Sequence, residues 1–480
     1  MSEIGGLLEW DQSVVMPPKG AIQRGRQTAI IARLHHERLK SAELGDLAEE
    51  LWAAGGLDEE LRADLREIRR ARERALKVPD DLVARRAEAC TLAQVAWEKA
   101  REDDDFPAFG PHLQEVVSLT REMAEAINGD QPYDALLDDY EQGTTEADLK
   151  PLLSRVRDRT VALLDRIRGS VAAPLDRSIL ERAFPVSAQE AFARRLVTDM
   201  GYDTDAGRLD RSVHPFTIGT FRDVRITTRY DGSNLATALF ASIHEAGHAL
   251  YEQGLDAERY RAPAGRPCSL GIHESQSRFW ENLVGRSRPF WRHYLPVLKE
   301  TFPGVLDDVS VEEFYRAINV CEPSLIRVEA DEITYNLHVI LRFELESELV
   351  AGRLAIADLP GAWNQKMASF LGTQPPDNRK GVLQDVHWSA GLFGYFPTYT
   401  LGNLYAAQFH EKLREDLPDL DDRLGRGELA PIKAWLNSHI HRHGRLHFAG
   451  DLCRRVTGRP LSVDPSMGYL EDKFGEIYGL

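Results

Sequence analysis

Two histidines four positions apart, in the segment His244-Glu-Ala-Gly-His248, have the clearest chemical meaning in the chain. On an α-helix such residues lie one above the other on the same face, so both imidazoles can reach one ion. Neutral imidazole suits Zn²⁺, and Glu245 between them can take a proton from a metal-activated water. With 15 His and 76 acidic residues among 480, this pattern arises by chance with a probability of roughly 0.07. The segment therefore predicts a catalytic zinc site with His244 and His248 as ligands and Glu245 as general base.

A catalytic zinc site needs a third protein ligand and one open position. Glu252 is one helical turn beyond His248, but its Cα lies about 12 Å along the axis from that of His244. Bonds of roughly 2 Å cannot gather all three side chains on one ion, so the third ligand is expected from another element. The segment His273-Glu274-Ser-Gln follows a loop rich in Pro and Gly. Glu274 is the better candidate because it completes a His, His, Glu set, and His273 is the alternative.

Three other segments carry groups that could contact a substrate. Asp223-Val-Arg225-Ile-Thr227 lies on an expected strand before the metal helix, and a strand edge there can pair with an extended peptide. An ordinary strand with alternating polar residues would give the same pattern. Gln384-Asp385-Val-His387-Trp388 combines polar groups with an aromatic ring, although a buried hydrogen-bonded turn would also explain it. The hydroxyl of Tyr399 could stabilise an oxyanion.

A second histidine cluster occurs in the segment HIHRHG, which contains His439, His441 and His443. Alternate spacing places neighbouring members on opposite sides of a helix, so the three cannot share one metal ion. This cluster is therefore interpreted as structural or surface-exposed.

Charge and composition exclude several classes of protein. The net charge of -17 argues against nucleic-acid binding, which needs clustered Lys and Arg. No stretch approaches 18 uncharged apolar residues, and the N-terminus lacks the basic and apolar regions of a signal peptide. The four cysteines form no CxxC pair, which fits a reducing compartment and excludes a cysteine-built zinc site. We expect a cytoplasmic protein that binds neither membrane nor nucleic acid.

Hydrophobic periodicity predicts a mostly α protein with a very small β-sheet next to the HExxH helix. Helices are expected from about Arg24 to Ile127, with breaks at 55–56, near 79 and at 103–107, and again from Thr145 to about Gly201. Residues 221–230 alternate like a strand, and a helix follows from 235 to a stop at Gly254. Later helices are expected from Pro323 to Leu349 and from Ala430 onward. No composition shift marks a domain boundary, so residues 1–480 are expected to form a single large helical body.

The ordered motifs of the chain resemble one family, the carboxypeptidase Taq or thermostable metallocarboxypeptidase family. The match extends over nearly the whole chain, and seven motifs in order make it specific. These motifs are Trp10-Asp11 with Met16-Pro17, His214-Pro215-Phe216, Asp223-x-Arg225-x-Thr227, His244-Glu245-x-x-His248, His273-Glu274-Ser275-Gln276, Ile326-Arg327-x-x-Ala330-Asp331 and Gly381-x-x-Gln384-Asp385-x-His387-Trp388.

The resemblance implies an almost entirely helical fold with a central substrate cleft, an N-terminal helical lid near residues 1–130 and a catalytic core near 200–400. It also implies a homodimer that removes single residues from peptide C-termini with broad specificity, using zinc, for which cobalt can substitute.

By this resemblance, His244, His248 and Glu274 are the metal ligands and Glu245 is the general base. An Arg fork suits a terminal carboxylate, and Arg327 is expected in that role. Further substrate or oxyanion contacts are expected from His214, Arg225, Gln384, Asp385, His387 and Tyr399.

Two other functions remain as alternatives. One is an oligopeptidase or dipeptidyl carboxypeptidase of the wider helical HExxH group, which would release larger products. The other is a non-catalytic binding protein that keeps zinc for structure. Glu245 argues against the latter, because a structural zinc site has no need of a base.

Overall fold

The structure is a computed structural model that describes residues 1–171, 175–259 and 261–480. The N-terminal part of the described chain consists of helices separated by short turns. Their bounds are α1 Ser2–Val14, α2 Ala21–Lys40, α3 Ala42–Ala54, α4 Glu59–Lys77, α5 Asp80–Asp103, α6 Phe106–Ile127, α7 Pro132–Leu137, α8 Glu146–Arg168 and α9 Val186–Asp199.

A small sheet follows, formed by β1 Gly207–Arg211, β2 Thr217–Thr220 and β3 Asp223–Thr228. The rest of the described chain is again helical. These helices are α10 Leu235–Gln253, α11 Leu270–Arg278, α12 Arg288–Thr301, α13 Val311–Ala317, α14 Tyr335–Val350, α15 Leu359–Leu371, α16 Pro397–Asp416, α17 Leu420–Gly425, α18 Ala430–His439, α19 Ala449–Thr457 and α20 Asp464–Tyr478. The expectation of a mostly α fold with a very small sheet is confirmed.

The chain folds into two compact units, each assembled from three stretches of sequence. The first contains Met1–Ala75, Pro174–Val320 and Tyr405–Leu461, and the second contains Leu76–Ala173, Cys321–Leu404 and Ser462–Leu480. Residues 1–130, expected as one helical lid, are thus divided at Ala75 between the two units. The lid, the cleft and the single-domain organisation stay predictions.

Helix breaks fall where the sequence predicts them, because turn residues interrupt the helical pattern between α3 and α4, α4 and α5, and α5 and α6. A further break, between α2 and α3, was not anticipated; there Ser41 caps α3 by accepting the backbone N–H of Leu44 at 3.3 Å. The expected block from Thr145 to Gly201 contains α8 and α9, and its residues 172–174 lie outside the described residues.

The sheet has the order β1-β3-β2, with β3 parallel to β1 and antiparallel to β2. Val224 pairs with Gly207 on one side and with Gly219 on the other, so both edges of β3 are occupied. The expectation that the strand carrying Asp223 and Arg225 offers an edge to a peptide is therefore wrong. Strand order depends on contacts distant in sequence, which the alternating pattern of one strand does not contain.

The metal helix α10 begins and ends as the sequence predicts. Asn234 accepts the backbone N–H of Thr237 at 3.2 Å, which satisfies one of the otherwise unpaired donors of the first turn. The helix ends at Gln253, immediately before Gly254. Both faces of α10 are largely buried, so its position is fixed by packing on several sides.

The helix expected over Pro323–Leu349 is wrong for nearly half of its length, because α14 begins only at Tyr335. The carboxylate of Asp331 accepts the backbone N–H groups of Ile333 at 2.9 Å and Thr334 at 3.0 Å. Such local side-chain bonds compete with helical ones and hold this segment in turns.

Within the described ranges, no helix combines the length and the apolar character needed to cross a membrane. All four cysteines lie within the described residues, and none of them forms a disulfide there.

A carboxylate lies in the core of the second unit. Glu346 on α14 is fully buried and accepts hydrogen bonds from Trp388 Nε1 at 2.9 Å, the Gly394 backbone N–H at 3.0 Å and the Tyr133 hydroxyl at 3.0 Å. Burial raises its pKa from 4.5 to about 7, against the opposing effect of these three donors and of Arg342.

This shift predicts a pH-dependent stability. Between pH 4.5 and 7 the unfolded chain releases the Glu346 proton more readily than the folded chain, so the unfolding free energy falls as pH rises. The full effect is about 3 kcal/mol. In urea unfolding from pH 5 to 8, the stability of Glu346→Gln relative to the wild type should therefore rise with pH. Glu348→Gln is the matched control, because Glu348 lies on the same helix but is partly exposed and paired with Arg353; its stability relative to the wild type should not rise with pH. If the unfolding free energies of the wild type and Glu346→Gln change with pH in parallel, the raised pKa of Glu346 is contradicted.

Candidate metal centre

Helices α10 and α11 bring three potential ligands together. Nε2 of His248 lies 3.4 Å from Oε2 of Glu274, and Nε2 of His244 lies 3.7 Å from the same oxygen. The ligand atoms of the three residues all fall within 4.8 Å of one another. Zinc bonds of 2.0–2.1 Å in a tetrahedron place ligand atoms about 3.3 Å apart. The three side chains therefore have the spacing and the donor types of a zinc site.

Gly247, inside the HExxH segment, allows the two helices to approach closely. A Cβ at this position would lie 2.6 Å from the carbonyl oxygen of Gln276 and 2.6 Å from Cα of Ser277. Both atoms belong to the backbone two and three residues after Glu274, so they cannot move aside as a side chain could. The absence of a side chain at 247 thus sets the distance between the histidines and Glu274.

The charges around the ligands favour metal binding. Burial lowers the pKa of His248 to about 3, so its imidazole is neutral and can donate a lone pair. Burial alone would raise the pKa of Glu274, but Arg278, whose Nε lies 2.8 Å from Oε1, and the two histidines hold it well below its usual range. Glu274 is therefore a charged ligand.

Glu281 supports His244 from behind, and the sequence analysis missed it. Its Oε2 lies 2.9 Å from Nδ1 of His244, 3.3 Å from Nη1 of Arg278, and its Oε1 lies 3.4 Å from Nη2 of Arg286. Burial alone would raise the pKa of Glu281, but Arg278 and His244 lower it to about 2. A carboxylate on the second ring nitrogen fixes the orientation of a metal-binding histidine. The signal was present, because Glu274, Arg278 and Glu281 follow the i, i+4, i+7 spacing of one helical face.

The expected base, Glu245, lies beside the ligands and is held by the sheet. It is buried, and its Oε2 accepts a hydrogen bond of 2.6 Å from the hydroxyl of Thr217 on β2. Burial raises its pKa, opposed by His244 and Thr217. Thr217 directly follows His214-Pro-Phe, but no sequence pattern connected it with Glu245, because the contact spans 28 residues.

His273, the alternative third ligand, has both ring nitrogens occupied elsewhere. Its Nδ1 lies 2.6 Å from Nδ1 of His248, and its Nε2 lies 3.1 Å from Oε1 of Glu252. Glu252, excluded as a ligand by distance along the helix, thus contacts His273.

In the second unit, Arg327, Gln384 and Asp385 form one buried cluster with Arg342. Oδ1 of Asp385 accepts from Nε and Nη2 of Arg327 at 3.1 and 2.9 Å, and Oδ2 accepts from Nε of Arg342 at 2.7 Å. Gln384 Oε1 accepts from the Arg327 backbone N–H at 2.9 Å and from Arg342 Nη2 at 2.8 Å. Burial alone would raise the pKa of Asp385, but the two guanidinium groups hold it well below its usual range. Arg342 was missed because a single Arg in an apolar helix has no distinctive sequence pattern.

Tyr399 and His387 belong to the same cluster. Nε2 of His387 lies 3.4 Å from the Tyr399 hydroxyl, and the Arg327 guanidinium carbon lies 5.0 Å from the centre of the Tyr399 ring. Burial lowers the pKa of His387 to about 4. The structure therefore brings Arg327, Asp385, His387 and Tyr399 together.

His214 and Arg225 both belong to the first unit. His214 is exposed in the segment between β1 and β2. Arg225 on β3 donates from Nε and Nη2 to Asp223 at 2.7 and 2.9 Å, and its guanidinium covers the ring of Trp10 at 4.2 Å. Trp10 thus packs against the guanidinium group of a sheet residue.

The histidines near the C-terminus have separate partners. His441 is fully buried, with Nε2 2.8 Å from Oε1 of Gln276 and Nδ1 2.7 Å from Oδ1 of Asn437. His439 stacks on Trp435 with ring centres 4.4 Å apart. Among the described residues, the only group of His, Cys, Asp or Glu close enough to hold a metal is the one formed by His244, His248 and Glu274.

The role of Gly247 gives a direct test. In Gly247→Ala, the added methyl must push the two helices apart, so metal affinity should fall and the metal-free protein should lose about 1–3 kcal/mol of stability. Gly468→Ala, in α20 with no heavy atom within 4 Å of the new Cβ, should gain about 0.5–1 kcal/mol. Chelator competition and urea unfolding measure both quantities. Unchanged zinc affinity in Gly247→Ala would show that the helix spacing does not depend on this residue.

Comparison with known proteins agrees with this geometry. The family model of carboxypeptidase Taq (M32) metallopeptidases matches residues 1–474. Thermostable carboxypeptidase 1 of Thermus thermophilus is 47% identical over 493 residues, covering 100% of this chain and 96% of that protein. Carboxypeptidase 1 of Bacillus subtilis is 38% identical, covering 99% and 96%.

Solved structures give the same result. The M32 carboxypeptidase from Deinococcus radiodurans R1 superposes with a TM-score of 0.97 at 39% identity, covering 100% of this chain and 97% of that one. For Pyrococcus furiosus carboxypeptidase the TM-score is 0.94 at 37% identity, with coverage of 98% and 95%. The chain belongs to the carboxypeptidase Taq (M32) family of metallopeptidases.

Proposed function

We propose that the protein is a zinc-dependent carboxypeptidase that releases single amino acids from the C-termini of peptides with broad specificity. The observation that carries the proposal is the buried set of His244, His248 and Glu274 with Glu245 beside it. Three protein ligands leave one position of a tetrahedron open, which distinguishes a catalytic zinc site from a structural one. Two imidazoles and a carboxylate suit Zn²⁺, and Co²⁺ is expected to substitute.

Glu245 acts as the general base. When bound, the ion supplies Lewis acid chemistry by polarising the scissile carbonyl and by lowering the pKa of water. Glu245 takes the proton of the attacking water and delivers it to the leaving amine. The Thr217 hydroxyl binds Oε2 and orients the carboxylate. Burial raises the pKa of Glu245 toward the range in which a base both accepts and returns a proton.

Arg327 is proposed to bind the C-terminal carboxylate of the peptide. A guanidinium has five N–H donors, and the contacts with Asp385 and Tyr335 use three of them. Within the described residues, two donors remain for a carboxylate. The trio of Arg327, Arg342 and Asp385 carries one more positive than negative charge, which favours an anionic group. Asp385 and Gln384 are proposed to hold Arg327 in place.

The remaining expectations stay predictions. Tyr399 or His387 is expected to donate a hydrogen bond to the developing oxyanion, while His214 and Arg225 are expected to contact the substrate. A homodimer is expected in solution.

Replacing the base should separate binding from chemistry. In Glu245→Gln, the three ligands are intact, so zinc content should equal that of the wild type while kcat falls by about 10²- to 10⁴-fold. Metal analysis and hydrolysis of a blocked peptide measure the two quantities. Near-normal kcat in the variant would overturn the assignment of Glu245.

Product analysis tests the reaction itself. An N-terminally blocked peptide incubated with the protein should shorten by one residue at a time from its C-terminus, as followed by mass spectrometry. A chelator should abolish this and Zn²⁺ or Co²⁺ should restore it, whereas the same peptide with an amidated C-terminus should resist cleavage. Loss of residue pairs or internal cuts would favour the dipeptidyl carboxypeptidase or oligopeptidase, and no cleavage with metal bound would favour a non-catalytic zinc protein.

A further inference from the structure

Two residues behind His248, the half-buried His273 and the buried Glu252, have no role in the mechanism above. Glu252 follows His248 by one turn on α10, and His273 precedes the ligand Glu274 on α11. The His273 ring lies against His248 with centres 4.6 Å apart, and against Tyr251 at 5.3 Å. The three groups thus form a chain, His248–His273–Glu252, that leads away from the metal centre.

The hydrogen-bond pattern of this chain assigns the protons. Nε2 of His248 faces Glu274 at 3.4 Å, so when it binds a metal its ring carries the proton on Nδ1. That proton points at Nδ1 of His273, 2.6 Å away, which must accept it. His273 then carries its own proton on Nε2 and donates it to Oε1 of Glu252 at 3.1 Å. Each donor therefore meets an acceptor from the ligand to the carboxylate.

We propose that His273 and Glu252 are positioning residues that fix the ring orientation and tautomer of His248 and make it a stronger metal ligand. The proposal rests on the proposed function only in assuming a divalent ion at His244, His248 and Glu274. His244 receives such support directly from the carboxylate of Glu281 at 2.9 Å. His248 receives carboxylate support only through an intervening histidine, so the two ligands are oriented by different hydrogen-bond arrangements.

The surroundings of Glu252 indicate that this carboxylate serves the metal rather than the fold. Its second oxygen, Oε2, is buried and has no hydrogen-bond partner among the described residues. A buried carboxylate with an unsatisfied oxygen is unfavourable for the metal-free protein. A cation bound to His248 attracts the charge of Glu252 through the chain and offsets this effect. Neutralising Glu252 should therefore weaken metal binding without weakening the metal-free fold.

Glu252→Gln tests this combination. Competition with a chromophoric chelator should show Zn²⁺ affinity about 10-fold below that of the wild type. Urea unfolding of the metal-free variant should show stability equal to or above that of the metal-free wild type. Glu258→Gln, a nearby exposed residue, is the matched control and should leave both quantities unchanged. Glu281→Gln, which alters the direct support of His244, should also reduce Zn²⁺ affinity by about 10- to 100-fold.

His273→Phe provides the second variant. It keeps a ring against Tyr251 but leaves the Nδ1–H of His248 without an acceptor, so Zn²⁺ affinity should fall by about 10- to 100-fold. The visible absorption spectrum of the Co²⁺-loaded variant should also differ from that of the Co²⁺-loaded wild type, because the His248 ring is no longer oriented.

The outcomes separate this proposal from the proposed function. If Glu252→Gln and His273→Phe both fold and bind Zn²⁺ as tightly as the wild type, the proposed role of His273 and Glu252 is overturned. The proposed function would stand in that case, because peptide cleavage by the wild type does not depend on this result. A loss of metal-free stability in Glu252→Gln with unchanged Zn²⁺ affinity would show a purely structural pair. Failure of the wild type to bind Zn²⁺ or Co²⁺ would overturn both proposals together.

Discussion

The metal centre depends on the close approach of helices α10 and α11 at Gly247. The histidines lie on one helix and Glu274 on the other, so the spacing between helices decides whether the three side chains can share an ion. Backbone atoms of Gln276 and Ser277 occupy the space that a Cβ at 247 would need. The second x position of the HExxH segment therefore has a packing requirement as strict as the chemical requirements on its neighbours.

That approach has an electrostatic consequence, because it gathers several carboxylates in a buried region. Glu274 and Glu281 are each paired with an arginine, Arg278 contacting both and Arg286 contacting Glu281. Arg278 thus keeps two acidic groups charged at once. Without it, burial would favour protonation, and a protonated Glu274 is a poor ligand. Arg278 at the end of α11 and Glu281 just beyond it are therefore as important to the site as the ligand itself.

The sequence contained the local part of this site but not the tertiary part. Spacing on one helix predicts that His244 and His248 share a face, and Asn234 and Gly254 mark the ends of that helix. Glu281 was accessible to the same reasoning and was overlooked. Residue spacing could not predict the contact of Thr217 with Glu245, because the strand order that brings β2 to α10 depends on pairing between strands that the local pattern does not contain. The expected free edge of β3 failed for the same reason, and the early helix start near Pro323 failed because Asp331 caps the backbone locally.

Glu245 and Glu274 show how neighbours give identical side chains opposite roles. Both are buried, and burial alone would raise the pKa of each. Glu274 has Arg278 and two imidazoles around it, so its carboxylate stays charged and suits a permanent bond to a cation. Among the described residues, Glu245 has no arginine as a hydrogen-bond partner, and its carboxylate accepts a hydrogen bond from the neutral hydroxyl of Thr217 at 2.6 Å. Its net pKa is therefore raised, and a carboxylate of higher basicity is what proton transfer from water requires. The two carboxylates differ chiefly in their cationic neighbour. Arg278, one turn beyond Glu274 on α11, is the strongest influence that lowers the pKa of Glu274, whereas for Glu245 the strongest such influence is His244.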